Sequence, residues 1–347
     1  MSLRAAIDRA ARGEEVPAEL LEGAFAEIMS GEAPEAAIAG LLVALRTKGE
    51  SVAEMVAAAR ALRAAAVTAP CLDPRTVDTC GTGGDAAGTF NISTTAAFVV
   101  AGAGVPVAKH GNRAASSKTG SIDVLEAAGV AIDLSVEASA RVLARVGIAP
   151  FYARRAHPAM RYVAPVRQAL GIRTLMNCMG PLLNPLGVRL QLVGVYDAAL
   201  VPRLARALAE LGALRALVVH GSDGLDEITT RGHTHAAWLE GGAVRSFEID
   251  PADLGIAPPE ADALQGGDAQ QNARILRAVL SGEPGARRDI VSLNSAGALW
   301  VAGAAEGLAA GLELARQSID SGAAQRALED LVRESNREVE ASRAATA

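Results

Sequence analysis

The chain has 347 residues, of which half are apolar, 3% aromatic and 21% charged, with a net charge of −6. This describes an alanine-rich globular protein long enough for more than one domain, and it excludes a disordered chain. The acidic balance excludes a broad basic face for nucleic acid, so positive charge for a small anionic ligand must be local.

Cys71, Cys80 and Cys178 are odd in number and widely spaced, which gives neither a disulfide framework nor a cysteine-based zinc site and points to a reducing compartment. The first residues mix Arg4, Asp8 and Arg9 among apolar ones and lack a signal-peptide core. No uncharged apolar run suits a bilayer span, and a cytoplasmic location is expected.

In chain order, residues 1–66 predict four short helices. Pro17 and Pro34 suit first helical positions, and Ser51 with Glu54 forms a capping box that opens a helix running to Ala66. With no strand among them, these helices predict a small all-helical domain over 1–72, left through Pro70 to Pro74. From Thr76, short β-branched runs at 76–79, 105–108, 148–151, 190–196, 214–220, 236–239 and 244–249 alternate with helical stretches, and helices fill the chain from Gln270 onward. That alternation predicts an α/β domain with a mostly parallel sheet covered on both faces. Residues 162–186 break it. A return of about 165–188 to the helical domain is expected, leaving 73–164 and 189–347 as a discontinuous α/β domain.

The chemistry concentrates in one stretch. Asp78-Thr-Cys-Gly-Thr-Gly-Gly-Asp85 follows the first strand, and Gly81, Gly83 and Gly84 allow positive φ and close backbone approach to an anion. Ser93 and Thr94 begin an apolar helix whose unpaired N–H groups and positive dipole end face the same place. Lys109 and Lys118, two of the three lysines in the chain, add compact charges on the loop after the next strand, with Arg113 as a planar fork and Ser116 and Ser117 as hydroxyl donors. Neither a nucleotide P-loop nor a dinucleotide fingerprint fits the glycine spacing, because residue 86 is alanine. Further on, Asp226 and Glu227 are adjacent on a loop after a strand. As a pair they fit a solvated turn or, beside phosphates, a Mg²⁺ site. No serine sits in a nucleophile-elbow pattern, so covalent catalysis is not indicated.

Gly81-Thr-Gly-Gly-Asp85, Asn91-Ile-Ser-Thr94, Lys109-His-Gly-Asn-Arg113, Val163-Ala-Pro-Val-Arg167 and Leu225-Asp-Glu-Ile-Thr229 together closely resemble the anthranilate phosphoribosyltransferase family, and the resemblance covers nearly the whole chain. It implies a helical domain hinged to an α/β domain, usually dimeric through the helical part. The implied reaction is Mg²⁺-dependent transfer of a phosphoribosyl group from 5-phosphoribosyl 1-diphosphate to anthranilate in tryptophan biosynthesis. By the same resemblance the donor is held by Gly81, Gly84, Asp85, Thr89, Asn91, Ile92, Ser93 and Thr94, by Lys109, His110, Gly111, Asn112, Arg113, Ala114, Ala115, Ser116 and Ser117, and by Ser121. Ser93, Asp226 and Glu227 are implied to bind magnesium, Asn112 and Arg167 to meet anthranilate, and Lys109, Arg167, Asp226 and Glu227 to carry catalysis. The sequence departs from the family pattern at Ala86, Ile122 and Ala156, the last bearing on the acceptor channel. The nearest rival reading is a phosphorolytic enzyme acting on nucleosides. A nucleic-acid-binding paralogue without activity would need a basic face that this chain lacks.

Overall fold

Four helices open the chain, α1 (Ser2–Ala11), α2 (Ala18–Ser30), α3 (Glu35–Lys48) and α4 (Val52–Ala64), in a computed structural model that describes residues 2–85, 87–114 and 119–346. Their apolar stripes meet in a core of Leu3, Leu21, Phe25, Ile28, Leu41, Leu45 and Met55. The capping box forms as expected, with Glu54 N–H donating to Ser51 Oγ at 3.1 Å and Ser51 N–H returning to Glu54 Oε2 at 2.8 Å. The fully buried Glu54 carboxylate also accepts from Lys48 Nζ at 2.8 Å and Val16 N–H at 2.9 Å. One buried charge thus joins the end of α3, the start of α4 and the α1–α2 connection, and its partners offset the cost of its desolvation.

The α/β part follows as β1 (Val77–Asp78), α5 (Ile92–Gly102), β2 (Val107–Gly111), α6 (Ser121–Ala127), α7 (Val136–Val146) and β3 (Ile148–Tyr152). Three short helices come next, α8 (Ala153–Ala156), α9 (Ala164–Leu170) and α10 (Met176–Met179). Beyond them lie β4 (Leu190–Gly194), α11 (Leu200–Glu210), β5 (Arg215–Gly221), β6 (Thr234–Glu240) and β7 (Ala243–Ile249), then α12 (Ala269–Leu280), α13 (Ala286–Val301), α14 (Leu308–Asp320) and α15 (Ala323–Thr346). The seven strands form one sheet in the order β3-β2-β1-β4-β5-β6-β7. β3 through β5 are parallel, while β6 and β7 join antiparallel at one edge. The expected class, a helical domain joined to a larger α/β domain, is what forms.

Both faces of the sheet are covered, and side-chain alternation assigns residues to each. Leu190, Leu192, Leu217, Val219 and Trp238 pack with α5 and α12 to α15, whereas Val193, Ala216, Val218, Ala237 and Leu239 pack towards α11 and the N-terminal helices. Val163, Val166, Leu175, Met176, Met179 and Leu182 belong to that second cluster, so the segment that breaks the βα alternation shares its core with α1 to α4.

Strand order reverses between β1 and β4, and in parallel sheets this is where a crevice opens beyond the carboxyl ends of the strands. One expectation needs correction here. Lys109 and His110 lie within β2, paired with Pro150 and Phe151 of β3, not on the loop after it. Their backbone is therefore fixed by the ladder, and only their side chains serve the crevice.

Gly194 at the end of β4 lets the loop after β5 lie directly on the strand, since a Cβ there would sit 1.5 Å from the carbonyl oxygen of Asp226. Gly194→Ala is expected to cost more than about 3 kcal/mol through this backbone overlap. A urea denaturation midpoint unchanged from the wild type would contradict the close approach.

Candidate active site

The crevice is a cavity of about 980 Å³. One end is polar, built by the loop after β1, the start of α5, Lys109 and the loop after β5. The other end is formed by Pro158, Met160, Ala164, Pro165, Met176 and Met179, with Arg154, Arg161 and Arg167 among them.

Asp226 and Glu227 anchor the polar end. Asp226 Oδ2 accepts from Gly83 N–H at 2.8 Å, and Glu227 Oε1 accepts from Ser93 N–H at 3.1 Å in the first turn of α5, where the dipole favours an anion. Burial drives the Asp226 carboxyl well above its ordinary range, and the charges of Asp85 and Glu227 add to the effect. Burial likewise raises Glu227, against the opposing pull of Lys109 and the Ser93 N–H. Three carboxylates thus converge at one end of a cavity, a destabilising arrangement unless a cation joins them.

Lys109 is almost fully buried, and its ammonium donates to Thr79 O at 3.0 Å, Thr79 Oγ1 at 3.3 Å and Ser93 Oγ at 3.4 Å. Thr94 Oγ1 is buried with no partner among the described residues. Of the three glycines read as permitting positive φ, Gly83 and Gly84 adopt it, at 65° and 84°. Gly81 does not, and its constraint is space, since a Cβ would meet Asp226 Oδ2 at 3.0 Å and Gly194 O at 3.2 Å. The Gly83 N–H, read as one of the groups turned onto an anionic ligand, is taken by Asp226.

Gly81, Gly84, Asp85, Thr89, Asn91, Ile92, Ser93, Thr94, Lys109, His110, Gly111, Asn112, Arg113, Ala114, Ser121, Arg167, Asp226 and Glu227 all line this one cavity. Ala115, Ser116, Ser117 and Lys118 lie outside the described residues, as does Ala86. Arg113 lines the cavity, but its guanidinium is turned to α6, where Nη1 meets Asp123 at 2.8 Å and Glu126 at 2.7 Å. Arg167 has the opposite character. It sits among apolar groups, burial lowers its pKa, and its guanidinium has no ion pair or hydrogen bond among the described residues. Of the departures, Ala156 and Ile122 are fully buried in the core and neither lines the cavity.

Several supporting residues carry no linear signal. Asn272 of α12 donates to Asn91 Oδ1 at 3.0 Å and accepts from Gly267 N–H at 2.7 Å, which ties the Gly266-Gly-Asp268 motif to the start of α5. Arg173 donates to Gly84 O at 2.5 Å with its guanidinium 4.3 Å from the Tyr196 ring centroid, so the crossover after α9 braces the glycine loop. Beneath the floor, buried Asp78 accepts from His110 N–H at 3.1 Å and Asn184 Nδ2 at 2.9 Å. Asp78, Cys80 and His110 bring ligand-type atoms within 4.8 Å of one another, a grouping across two strands that cysteine spacing cannot reveal, although its Asp78 member already holds two donors.

Two imidazoles close the side of the cavity, His110 and His157, with ring centroids 5.2 Å apart. Each has a buried Nε2 without a partner among the described residues, and His110 Nδ1 lies 3.0 Å from Gly180 O. Burial lowers His110 to about 3 and His157 to about 4, so both rings are neutral at pH 7. Because these folded values lie below the unfolded one of about 6.5, the associated stability is present above pH ~6.5 and lost as pH falls through the folded values. His157→Gln removes one such group. The wild type should therefore lose stability relative to the variant by up to about 1.4 kcal/mol per pH unit between pH ~6 and ~4. A difference in unfolding free energy that is constant over that range would contradict a buried neutral His157.

With this geometry in view, the relatives of the chain can be compared. Residues 4–66 match the helical bundle domain of a glycosyl transferase family and residues 73–325 its a/b domain. The fold and site thus define a two-domain glycosyl transferase. An anthranilate phosphoribosyltransferase from Rubrobacter xylanophilus is 55% identical over 96% of this chain and 98% of its own length. The crystal structure of the enzyme of that name from Thermus thermophilus superposes with a TM-score of 0.91 at 40% identity, covering 95% of this chain and 99% of that one. The Saccharomyces cerevisiae enzyme, in a complex with PRPP and Mg, gives a TM-score of 0.88 at 27% identity over 96% and 98%. The chain belongs to the anthranilate phosphoribosyltransferase family.

Proposed function

We propose that the protein transfers the phosphoribosyl group of 5-phosphoribosyl 1-diphosphate to the amine of anthranilate, giving N-(5-phosphoribosyl)anthranilate and diphosphate in tryptophan biosynthesis. The observation that carries this reading is the polarity of a single cavity. Clustered carboxylates, Lys109 and the α5 N-terminus occupy one end, and at the other the half-buried Arg167, without a partner among the described residues, sits with methionine, alanine and proline side chains and the exposed Arg154 and Arg161.

The donor takes the polar end. Backbone N–H groups at the start of α5, the Asn91 and Thr94 side chains, and Lys109 suit its phosphates. The residue set fits a divalent cation, because Asp226, Glu227 and Ser93 offer hard oxygen ligands and the two carboxyl groups are raised by burial and by the neighbouring Asp85, with only Lys109 and backbone N–H groups opposing this. Bound there, Mg²⁺ would neutralise charge on the leaving diphosphate. Lys109 supplies the same stabilisation from the protein, held by β2 and by its bonds to Thr79 so that little reorganisation is needed as charge develops. Anthranilate takes the apolar end, with its carboxylate on Arg167 and Asn112 beside its ring. A neutral aromatic amine needs chiefly to be aligned with the ribose carbon, and Met160, Met176 and Met179 offer apolar surface for that purpose. No side chain is assigned as general base. We further propose a cytoplasmic homodimer joined through the helical domain, made of residues 1–72 and about 165–188.

Anthranilate fluorescence should decay only when protein, 5-phosphoribosyl 1-diphosphate and Mg²⁺ are all present. Donor binding without loss of anthranilate would remove the acceptor assignment, and phosphate-dependent cleavage of nucleosides would favour phosphorolysis instead. Arg167→Ala is expected to raise KM for anthranilate at least about 30-fold while donor KM changes less than about threefold. Equal losses for both substrates would contradict its placement.

A further inference from the structure

One carboxylate outside the assigned donor and acceptor groups holds together both flanks of the segment leading from β2 to α6. Asp123, in the first turn of α6, accepts from Gly120 N–H at 2.9 Å and from Ala114 N–H at 2.9 Å through Oδ2, and from Arg113 Nη1 at 2.8 Å through Oδ1. Glu126, one turn further on, completes the grip on Arg113 by accepting from both of its terminal nitrogens, at 2.7 and 3.0 Å.

The two flanks meet so closely at this point that a Cβ on Gly120 would lie 2.4 Å from Ala114 N and 2.5 Å from Asn112 O. Ile122 N–H also reaches Asn112 O, at 3.3 Å. The carboxyl is partly buried, which on its own would raise its pKa, but the two N–H groups and Arg113 outweigh this and hold it below its usual value. A helix cap needs one or two of these bonds. The other two, from Ala114 and Arg113, tie the end of β2 to the helix and do nothing for the helix itself.

We propose that Asp123 is a positioning residue for the phosphoribosyl donor, because it fixes the neck from which Ala114 on one flank and Ser121 on the other line the cavity. The inference rests on the donor-binding reading above. It makes Arg113 a strut between the neck and α6, occupied by two carboxylates and so not available as a phosphate ligand. Thr119 strengthens the same neck from outside, with its Oγ1 donating to Gly267 O at 2.8 Å.

The test compares Asp123→Asn and Glu126→Gln with Ser135→Ala, which removes an ordinary cap on α7, where Ser135 Oγ accepts from Ala138 N–H at 3.2 Å. Asparagine can keep one capping bond but not the charge that Arg113 needs. Donor KM should rise at least about tenfold in Asp123→Asn and about threefold in Glu126→Gln, with anthranilate KM within about twofold of the wild type. Ser135→Ala should lower Tm and leave both KM values unchanged. The proposal is overturned if donor KM in Asp123→Asn stays within about twofold of the wild type, or if both KM values rise together. Should that variant not fold, Glu126→Gln decides on whether donor KM alone rises. Failure of the wild type to bind 5-phosphoribosyl 1-diphosphate would instead reject the donor reading itself.

Discussion

The structure depends most on a repulsion it does not relieve by itself. Asp226 and Glu227 are adjacent in sequence and half-buried in the cavity wall, and Asp85 lies close enough to raise Asp226 further. A protein selected for stability alone would hold one of these charges at most. Much of the surrounding architecture makes the arrangement tolerable. Gly83 and Ser93 offer backbone N–H groups, the helix dipole of α5 points at Glu227, Lys109 adds a positive charge, and Gly194 gives the loop room to lie on β4. The parts come from β1, α5, β2, β4 and the loop after β5, so the site exists only once the parallel sheet has assembled. Residual repulsion is then the driving force for taking up a divalent cation with its polyanionic ligand.

The opposite pole follows a different rule. Arg167 is a cation without a partner among apolar side chains, which costs desolvation until a carboxylate arrives. Arg154 and Arg161 line the same cavity but are exposed, so an aromatic acid is oriented chiefly by the half-buried Arg167 and by shape. The region that frames this pole, from the turn after Pro158 through α10, shares its core with the N-terminal helices, whereas the donor pole belongs to the sheet. Orientation of one substrate relative to the other is therefore set by how the helical and α/β parts meet.

Much of this was legible in the sequence. Period-two β-branched runs alternating with amphipathic helices foretold the parallel sheet, and the glycines, the Asn-Ile-Ser-Thr helix start and the Asp-Glu pair all line the one cavity. The resemblance added roles that residue chemistry alone left open. What stayed hidden depends on register and on partners distant in sequence. The β-branched run 105–108 placed Lys109 on the loop after the strand, yet pairing with β3 carries β2 on to Gly111. Asn272, Arg173 and Asn184 support the site from elements far along the chain, and no local pattern gives their partners. Arg113 was read as a ligand from its charge, but Asp123 and Glu126 lie one helical turn apart on α6 and capture it.

The measurement that bears most directly on the central claim is calorimetric titration of the protein with 5-phosphoribosyl 1-diphosphate, with and without Mg²⁺, for the wild type and for Asp226→Asn combined with Glu227→Gln. The account predicts Mg²⁺-dependent binding in the wild type and a loss of affinity of at least about 100-fold in the double variant, while its fold stays intact because the repulsion has been removed. Equal, Mg²⁺-independent binding by both proteins would contradict the assignment of the carboxylate end of the cavity to a metal-bound donor.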